Sequence, residues 1–565
     1  MNFSRANRAV TATIALVGAI YVVTCLLLPS EGAWVVDTAN KRMQLQAVIA
    51  SGFSSFDIPW RGHTVDPSFA FNPIPAPFAV VQDGRLFSQY SPLFATISAP
   101  FYLMFGERGL VVLPLLGALV VLAAVARLAR AAGLNGPPAA ICVAVAGLAT
   151  PLWFYSQVFW EHTLSVACLL WALVFAIGFA REGGKRRLVL LSLCCALSAY
   201  VREETLLLFP VIWLLVLRGS RHATRRAVLG SAAIVLVSLV PLMLFLALAT
   251  GSLGGHHVQS NLSGITTHLM ARGRVFYNLF LAVHPDRTMA WLVGLPAVGL
   301  LAIRPRLSQG MHRRAFAVLA LLALAWGLVY LGRFIASASP FVDLLHANAL
   351  LAVSPFLLLG LLRRKPTSAD APSSDVSNLM WKACLGYALG YFAIAPEISS
   401  QGIHWGCRYL LLLYPVLAVL AVEGVASWQL LGGRRWSPRV VVVALAATSV
   451  LTQVFSLDLL RRKKLFSQAL AGALHSRSET TIVSDIWWAP QEMYSVFQTK
   501  AIYYVSSGQS LPQLIQALSN SGVTNVLLAT KPGSLPNVEP LFSVDDFGLN
   551  FYTLSFYQYR LPARR

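Results

Sequence analysis

The chain is 565 residues long, 56% hydrophobic and only 12% charged, with a mean hydropathy of +0.64, which excludes the ordinary soluble class and defines a polytopic α-helical membrane protein. Its formal charge of +21 would suggest nucleic acid in a soluble protein. Here the basic residues fall in short clusters in alternate loops, from Arg5 and Arg8 through Arg127 and Arg130, Arg181 to Arg187, Arg218 to Arg226, Arg304 to Arg314 and Arg363 to Lys365, to Arg434 to Arg439. That is the positive-inside pattern, so the charge reports topology and no nucleic-acid partner is expected.

About thirteen apolar stretches of roughly span length precede residue 456. The first, Ala9 to Leu28, follows two arginines; VTCLLLPSEGAW offers no clear small-residue cleavage site, so the run reads as a retained span with a cytoplasmic N-terminus. It delivers the long first outer loop, residues 29–92, with Asp37 in AWVVDTANKRMQLQ and then the aromatic and proline-rich IPWRGHTVDP, NPIPAP and GRLFSQYSPLF. Asp37 could cap a helix beginning at Thr38, or it could do chemistry at the membrane surface. YSPLFATISAPFYLMFG, broken by Pro92 and Pro100, reads as a helix lying at the interface.

Further on, SQVFWEHT reads as a short outer turn carrying Glu161 and His162, which could equally be interfacial polar residues. Runs at 188–200 and 204–217 hinge at YVREE, where Arg202, Glu203 and Glu204 could simply snorkel to headgroups. A second outer loop, residues 251–288, holds His256 and His257, whose adjacency does not make a metal site, and His284, Asp286 and Arg287, which read as a loop salt-bridge set. Spans are expected at 289–303, 315–332, 347–362, 379–396, 409–426 and 438–455, with a flexible connector, KPTSADAPSSDVSN. The outer loop before the twelfth span reads EISSQGIHWGCRYLLLLYP, with His404, Trp405 and Arg408; Trp160 and Trp405 also fit an interfacial aromatic belt. The seven cysteines show no paired C-x-x-C spacing, so no zinc site or disulfide framework is readable.

From residue 456 the composition turns soluble. TTIVSD, KAIYYVS and VTNVLLAT are β-rich and LPQLIQALSNSG has helical spacing closed by glycine, so residues 456–565 read as a small extracytoplasmic α/β domain after a membrane domain of residues 1–455. The basic RRKK at 461–464 reads as a helix resting on anionic headgroups.

GRLFSQYSPLFATISAPFYLMFG, ATPLWFYSQVFWEHTLS, ALSAYVREETLLLFP and HWGCRYLLLLYP follow one another in an order that resembles the GT-C superfamily of membrane glycosyltransferases, most of all its protein mannosyltransferase and aminoarabinose transferase branch. The resemblance covers most of residues 1–455. It implies a polyprenyl-phosphate sugar as donor and transfer on the extracytoplasmic face of a bacterial inner membrane, to a glycan, lipid or protein acceptor. It implies Asp37 as general base, Glu161 as the second acid that organises the site, and Arg408 as partner of the lipid phosphate; Leu412 stands where the family usually has a proline, with Pro415 three places on. Arg202 and Arg287 join Arg408 as candidate phosphate ligands, and His162, Tyr90, Trp405 and His404 as candidate substrate contacts. No cofactor is predicted, with a divalent metal left open. The competing reading is a multi-span transporter, against which the spans carry few charges and no inverted repeat is visible; a scaffold role would leave the first loop and its acid unexplained.

Overall fold

The computed structural model describes residues 3–219, 222, 224–265, 268–281, 309–345, 350, 352–361, 371–396, 403–430, 436–506 and 508–561. Six helices among them are long and apolar enough to cross a membrane: Asn7–Leu27, Pro92–Ala131, His162–Glu182, Arg225–Leu248, Arg314–Ala336 and Arg439–His475. Pro137–Leu148 and Leu413–Ser427 are shorter apolar helices. The chain is a multi-pass helical membrane protein, and the expected count of about thirteen spans is not reproduced among the described residues. The expected span at 289–303 lies outside them, as do His284, Asp286 and Arg287.

Within its described part, the expected span at 347–362 is not an α-helix. Pro355–Leu361 forms a 3-10 turn, buried over residues 355–360, against Leu413–Leu430 and Gln309–Ala336; Pro355, with no N–H to donate, stands at its first position and separates it from residues 352–354. The hinge at YVREE is where the sequence places it. Lys185–Val201 ends at Arg202, whose backbone is extended (φ −151°, ψ 111°), and a 3-10 turn, Glu203–Leu207, leads into Leu208–Gly219.

The chain divides into two compact units. The first comprises Met1–Cys25, Val111–Leu242 and Asn261–Leu457. It is helical, with His162–Glu182 packed on Val112–Ala131 and on Lys185–Val201. Small residues allow the close approach: a Cβ on Gly117 would stand 2.8 Å from the Leu164 nitrogen.

The second unit comprises Leu26–Leu110, Met243–Ser260 and Asp458–Arg565. Its sheet has the order β4-β3-β5-β7-β6, from β3 (Thr481–Ser484), β4 (Ala501–Tyr504), β5 (Asn525–Thr530), β6 (Phe542–Val544) and β7 (Leu554–Arg560). The first three strands are parallel, and β7 is antiparallel to both its neighbours, β5 and β6. Helix Leu511–Asn520, capped by the Ser510 hydroxyl, lays Leu514 and Leu518 inward. A separate hairpin, β1 (Ala79–Gln82) and β2 (Arg85–Ser88), turns at Asp83 and Gly84. Both residues have positive φ, 51° and 67°, which is what a two-residue hairpin of this twist demands.

Loop residues 29–92 fold onto this sheet. The Trp60 indole donates to the Ile502 carbonyl at 2.8 Å, the Tyr504 amide to the Phe71 carbonyl at 3.0 Å, and Phe78 stacks on Trp487. The reading of RRKK as a headgroup-facing stretch is corrected for its two lysines, while Arg461 is exposed and Arg462 half-buried. Helix Trp436–His475 runs unbroken past residue 456, and Lys463 and Lys464 on it are buried. Lys463 is paired with Glu492 at 2.7 Å, which is how a buried ammonium is tolerated.

Candidate functional site

In the helical unit the polar residues of three separate segments converge. SQVFWEHT is no exposed turn: residues 156–163 are all buried, with Glu161 4% and His162 2% exposed. At that level of burial neither side chain faces headgroups or water. The Arg202 guanidinium reaches the Glu161 carboxylate at 3.0 Å, the His162 ring nitrogen at 3.4 Å and, through Nε, Glu204 at 2.5 Å. Arg202 does not snorkel; it is buried and held between two carboxylates. Burial opposes its charge, Glu204 and Glu161 more than offset that, and the guanidinium is held above even the usual arginine range.

Arg408 enters from the loop before Leu413–Leu430. The Trp405 indole donates to Gln453 at 3.0 Å and its carbonyl accepts from the Tyr155 hydroxyl at 3.1 Å, fixing the start of the turn. Gly406 follows at φ +62°, where a Cβ would lie 2.4 Å from the Tyr414 hydroxyl. Only glycine fits both the backbone and the space. The Cys407 amide then donates to that hydroxyl at 3.1 Å, and burial pushes the Cys407 thiol up to about 12. Arg408, half-buried, donates to the Tyr409 hydroxyl at 2.7 Å and lies over the Trp160 and Tyr409 rings, 4.9 and 4.8 Å from their centroids.

His162, Arg202, Glu204, Tyr387, Arg408 and Tyr409 thus line one cleft, of about 10 Å³, roughly room for a single water. Arg202 is committed to Glu161 and Glu204, so it is Arg408 that directs the cleft toward an anion. Trp405 is fully buried among Phe154, Tyr330, Phe334 and Phe455, so neither a membrane-belt nor a sugar-stacking role suits it; it shapes the turn that presents Arg408. His404 is buried with its ring at the edge of Tyr409.

The second unit holds Asp37 and Tyr90. The helix begins at Val36, two residues earlier than a cap at Asp37 requires; Val35 is the N-cap and Asp37 stands in the first turn. Its carboxylate therefore sits at the positive end of the helix dipole. Helix Val36–Ala50 is buried on nearly every face although its sequence is polar. Asn40 donates to Gln491 at 2.9 Å, Gln44 to the Tyr90 carbonyl at 3.1 Å, Arg42 to the Tyr102 hydroxyl at 3.0 Å and to Glu107, and Lys41 lies 4.1 Å from the centre of the Tyr90 ring. His257 meets the same Tyr90 ring and His256 meets Phe87; among the described residues no group of three His, Cys, Asp or Glu could hold a metal.

Sequence reasoning missed Tyr409, Tyr387, Lys41 and Arg42. Tyr409 is adjacent to Arg408 and could have been flagged as its partner. Lys41 and Arg42 carried a signal too, since basic residues just after an outward span run against the charge rule.

No family model matches the chain, and no curated protein does. Among solved structures it is similar to ArnT from Cupriavidus metallidurans bound to undecaprenyl phosphate, with a TM-score of 0.54 and 13% identity over 97% of this chain and 98% of that one. The apo state of the same protein aligns over the same shares at 13% identity and a TM-score of 0.41. The chain shares the fold of ArnT, the fold that the resemblance in its sequence motifs implies.

Proposed function

We propose that this chain transfers a sugar from a polyprenyl-phosphate donor to an acceptor hydroxyl at the extracytoplasmic face of a bacterial inner membrane. The observation that carries this is the cleft of Arg202 and Arg408, within a fold shared with a protein crystallised on undecaprenyl phosphate. A guanidinium fork matches phosphate oxygens in shape and charge.

In the reaction the acceptor oxygen attacks the anomeric carbon, the bond from that carbon to the phosphate oxygen breaks, and the polyprenyl phosphate leaves with the bonding pair. Asp37 takes the acceptor proton as the new bond forms. One displacement inverts the anomeric configuration. Arg408 meets the negative charge that grows on the leaving phosphate. Glu161 acts through Arg202: the ion pair holds that guanidinium at the cleft wall, which makes Arg202 a support of the site ahead of a phosphate ligand. Tyr90 and His404 are the substrate contacts kept from the sequence, with His162 beside Arg202.

The test is transfer from a panel of polyprenyl-phosphate hexoses and pentoses by purified protein, with Arg408→Ala beside the wild type. Turnover with at least one donor, and a donor KM raised roughly 10-fold or more in the variant by loss of a charge-assisted contact, is expected. Solute uptake into proteoliposomes without any transfer would put the transporter reading first.

A further inference from the structure

The C-terminal segment does more than follow the membrane domain, because its buried polar residues bracket Asp37 on both sides within one unit. On the N-terminal side, the Lys463 ammonium donates to the Ala33 carbonyl at 3.0 Å, to Glu492 at 2.7 Å and to the Ser467 hydroxyl at 3.1 Å. Those bonds use all three of its protons. Lys464 donates to the Pro29 carbonyl at 3.2 Å. Between these attachments Gly32, at φ +122°, lies so near the helix that a Cβ would stand 2.6 Å from the Lys464 Cα. Residues 29–33 are therefore held by their backbone against helix Trp436–His475.

On the C-terminal side, Asn40 donates to Gln491 at 2.9 Å, and Gln491 donates in turn to the Trp487 carbonyl at 2.9 Å. Gln491 and Glu492 are neighbours in the short helix Ala489–Glu492, and both are fully buried. A closed circuit results: Ala33 to Lys463, Lys463 to Glu492, Gln491 to Asn40, and back along the chain through Asp37. A buried ion pair is weak evidence for stability, since desolvation offsets its attraction, but it defines geometry sharply. Placing one bond four residues before Asp37 and another a turn after it fixes both the position and the rotation of the helix that carries the carboxylate.

We propose that Lys463, Gln491 and Glu492 are positioning residues for Asp37, so that the C-terminal α/β segment is a working part of the transfer machinery. The inference rests on Asp37 being the general base. A misplaced base lowers the chemical step and leaves donor binding alone, because small displacements of a reacting group cost rate steeply.

The experiment uses the full-length protein in detergent and reads kcat and donor KM separately. Gln491→Ala removes one bond without stranding a charge; kcat is expected to fall about 10-fold or more with KM within about twofold. Exchanging the partners, Asn40→Gln with Gln491→Asn, keeps the reach of the pair and should restore most of the loss. Lys463→Met combined with Glu492→Met removes both charges together and should reproduce the kcat loss in protein that still elutes as a single species. Unchanged kcat in Gln491→Ala and in the Lys463 and Glu492 pair overturns the inference, as does a loss that the exchanged pair fails to recover. Asp37→Asn runs alongside: turnover retained there overturns the base assignment itself, while turnover lost there and kept in the bracket variants overturns the bracket alone.

Discussion

The two polar clusters of this protein are built on opposite plans. In the helical unit, Arg202 is enclosed by Glu161, Glu204 and His162, so that charge is balanced at short range and the group is rigid. In the other unit, the buried helix Val36–Ala50 carries Asp37 among polar side chains that are only partly satisfied. The Thr38 hydroxyl, the Asn40 and Gln44 amide oxygens, and Nε and Nη1 of Arg42 have no hydrogen-bond partner among the described residues. Unsatisfied buried polar groups cost roughly 1–3 kcal/mol each unless water or a ligand satisfies them. The first cluster is closed by ion pairs around one guanidinium, with Glu204 Oε2 left without a hydrogen-bond partner among the described residues; the second carries more such atoms, spread along one buried helix.

That contrast can be broken at several points. Asp37→Asn should have the largest effect, a loss of turnover of about 10²–10⁴-fold, the range of a general base, with a melting temperature close to wild type because the substitution keeps the side chain's size and one of its oxygens. Arg202→Met should act the other way. It strands Glu161 and Glu204, costs roughly 3–5 kcal/mol as a broken buried pair, and shows first as a lowered melting temperature and yield. Gly32→Ala should lower both stability and kcat, through a left-handed backbone and the contact with Lys464; activity normalised to folded protein separates the two. Trp405→Phe should be the mildest, costing about 1 kcal/mol for the bond to Gln453, with turnover within about twofold. A large loss of turnover there would return Trp405 to the substrate contacts.

The pH behaviour sharpens the same comparison. The folded-state pKa of Arg202 is raised by Glu204 and Glu161 against the opposing effect of burial. A raised cation contributes stability that is present below its unfolded pKa and lost only as pH rises through the folded one. For an arginine that window lies above the working range, so the Arg202 cluster should give a flat stability profile from neutral pH upward, measured as melting temperature against pH.

Much of this architecture was legible in the sequence. Apolar run length gave the first span, now Phe3–Leu27; alternating β-rich runs gave β3, β4 and β5; spacing with a closing glycine gave Leu511–Asn520. Charge against an apolar background marked Glu161, Arg202 and Arg408, which do share a locality. What failed were inferences from local polarity about exposure. WEH and the two lysines of RRKK read as surface because they are polar, yet they are buried, since their partners lie far away in sequence: Glu161 with Arg202, Lys463 with Glu492 and Ala33. No periodicity encodes a pairing across such distances. Residues 352–361 failed for a related reason, because a proline in a buried apolar run stops the α-helix that hydropathy alone predicts.

The central claim is tested most directly by following the anomeric configuration of the product by NMR as purified wild-type protein and Asp37→Asn turn over a polyprenyl-phosphate sugar. The account predicts a glycosylated acceptor of inverted configuration from the wild type and none from the variant. A product of retained configuration, or transfer by Asp37→Asn at the wild-type rate, would contradict it.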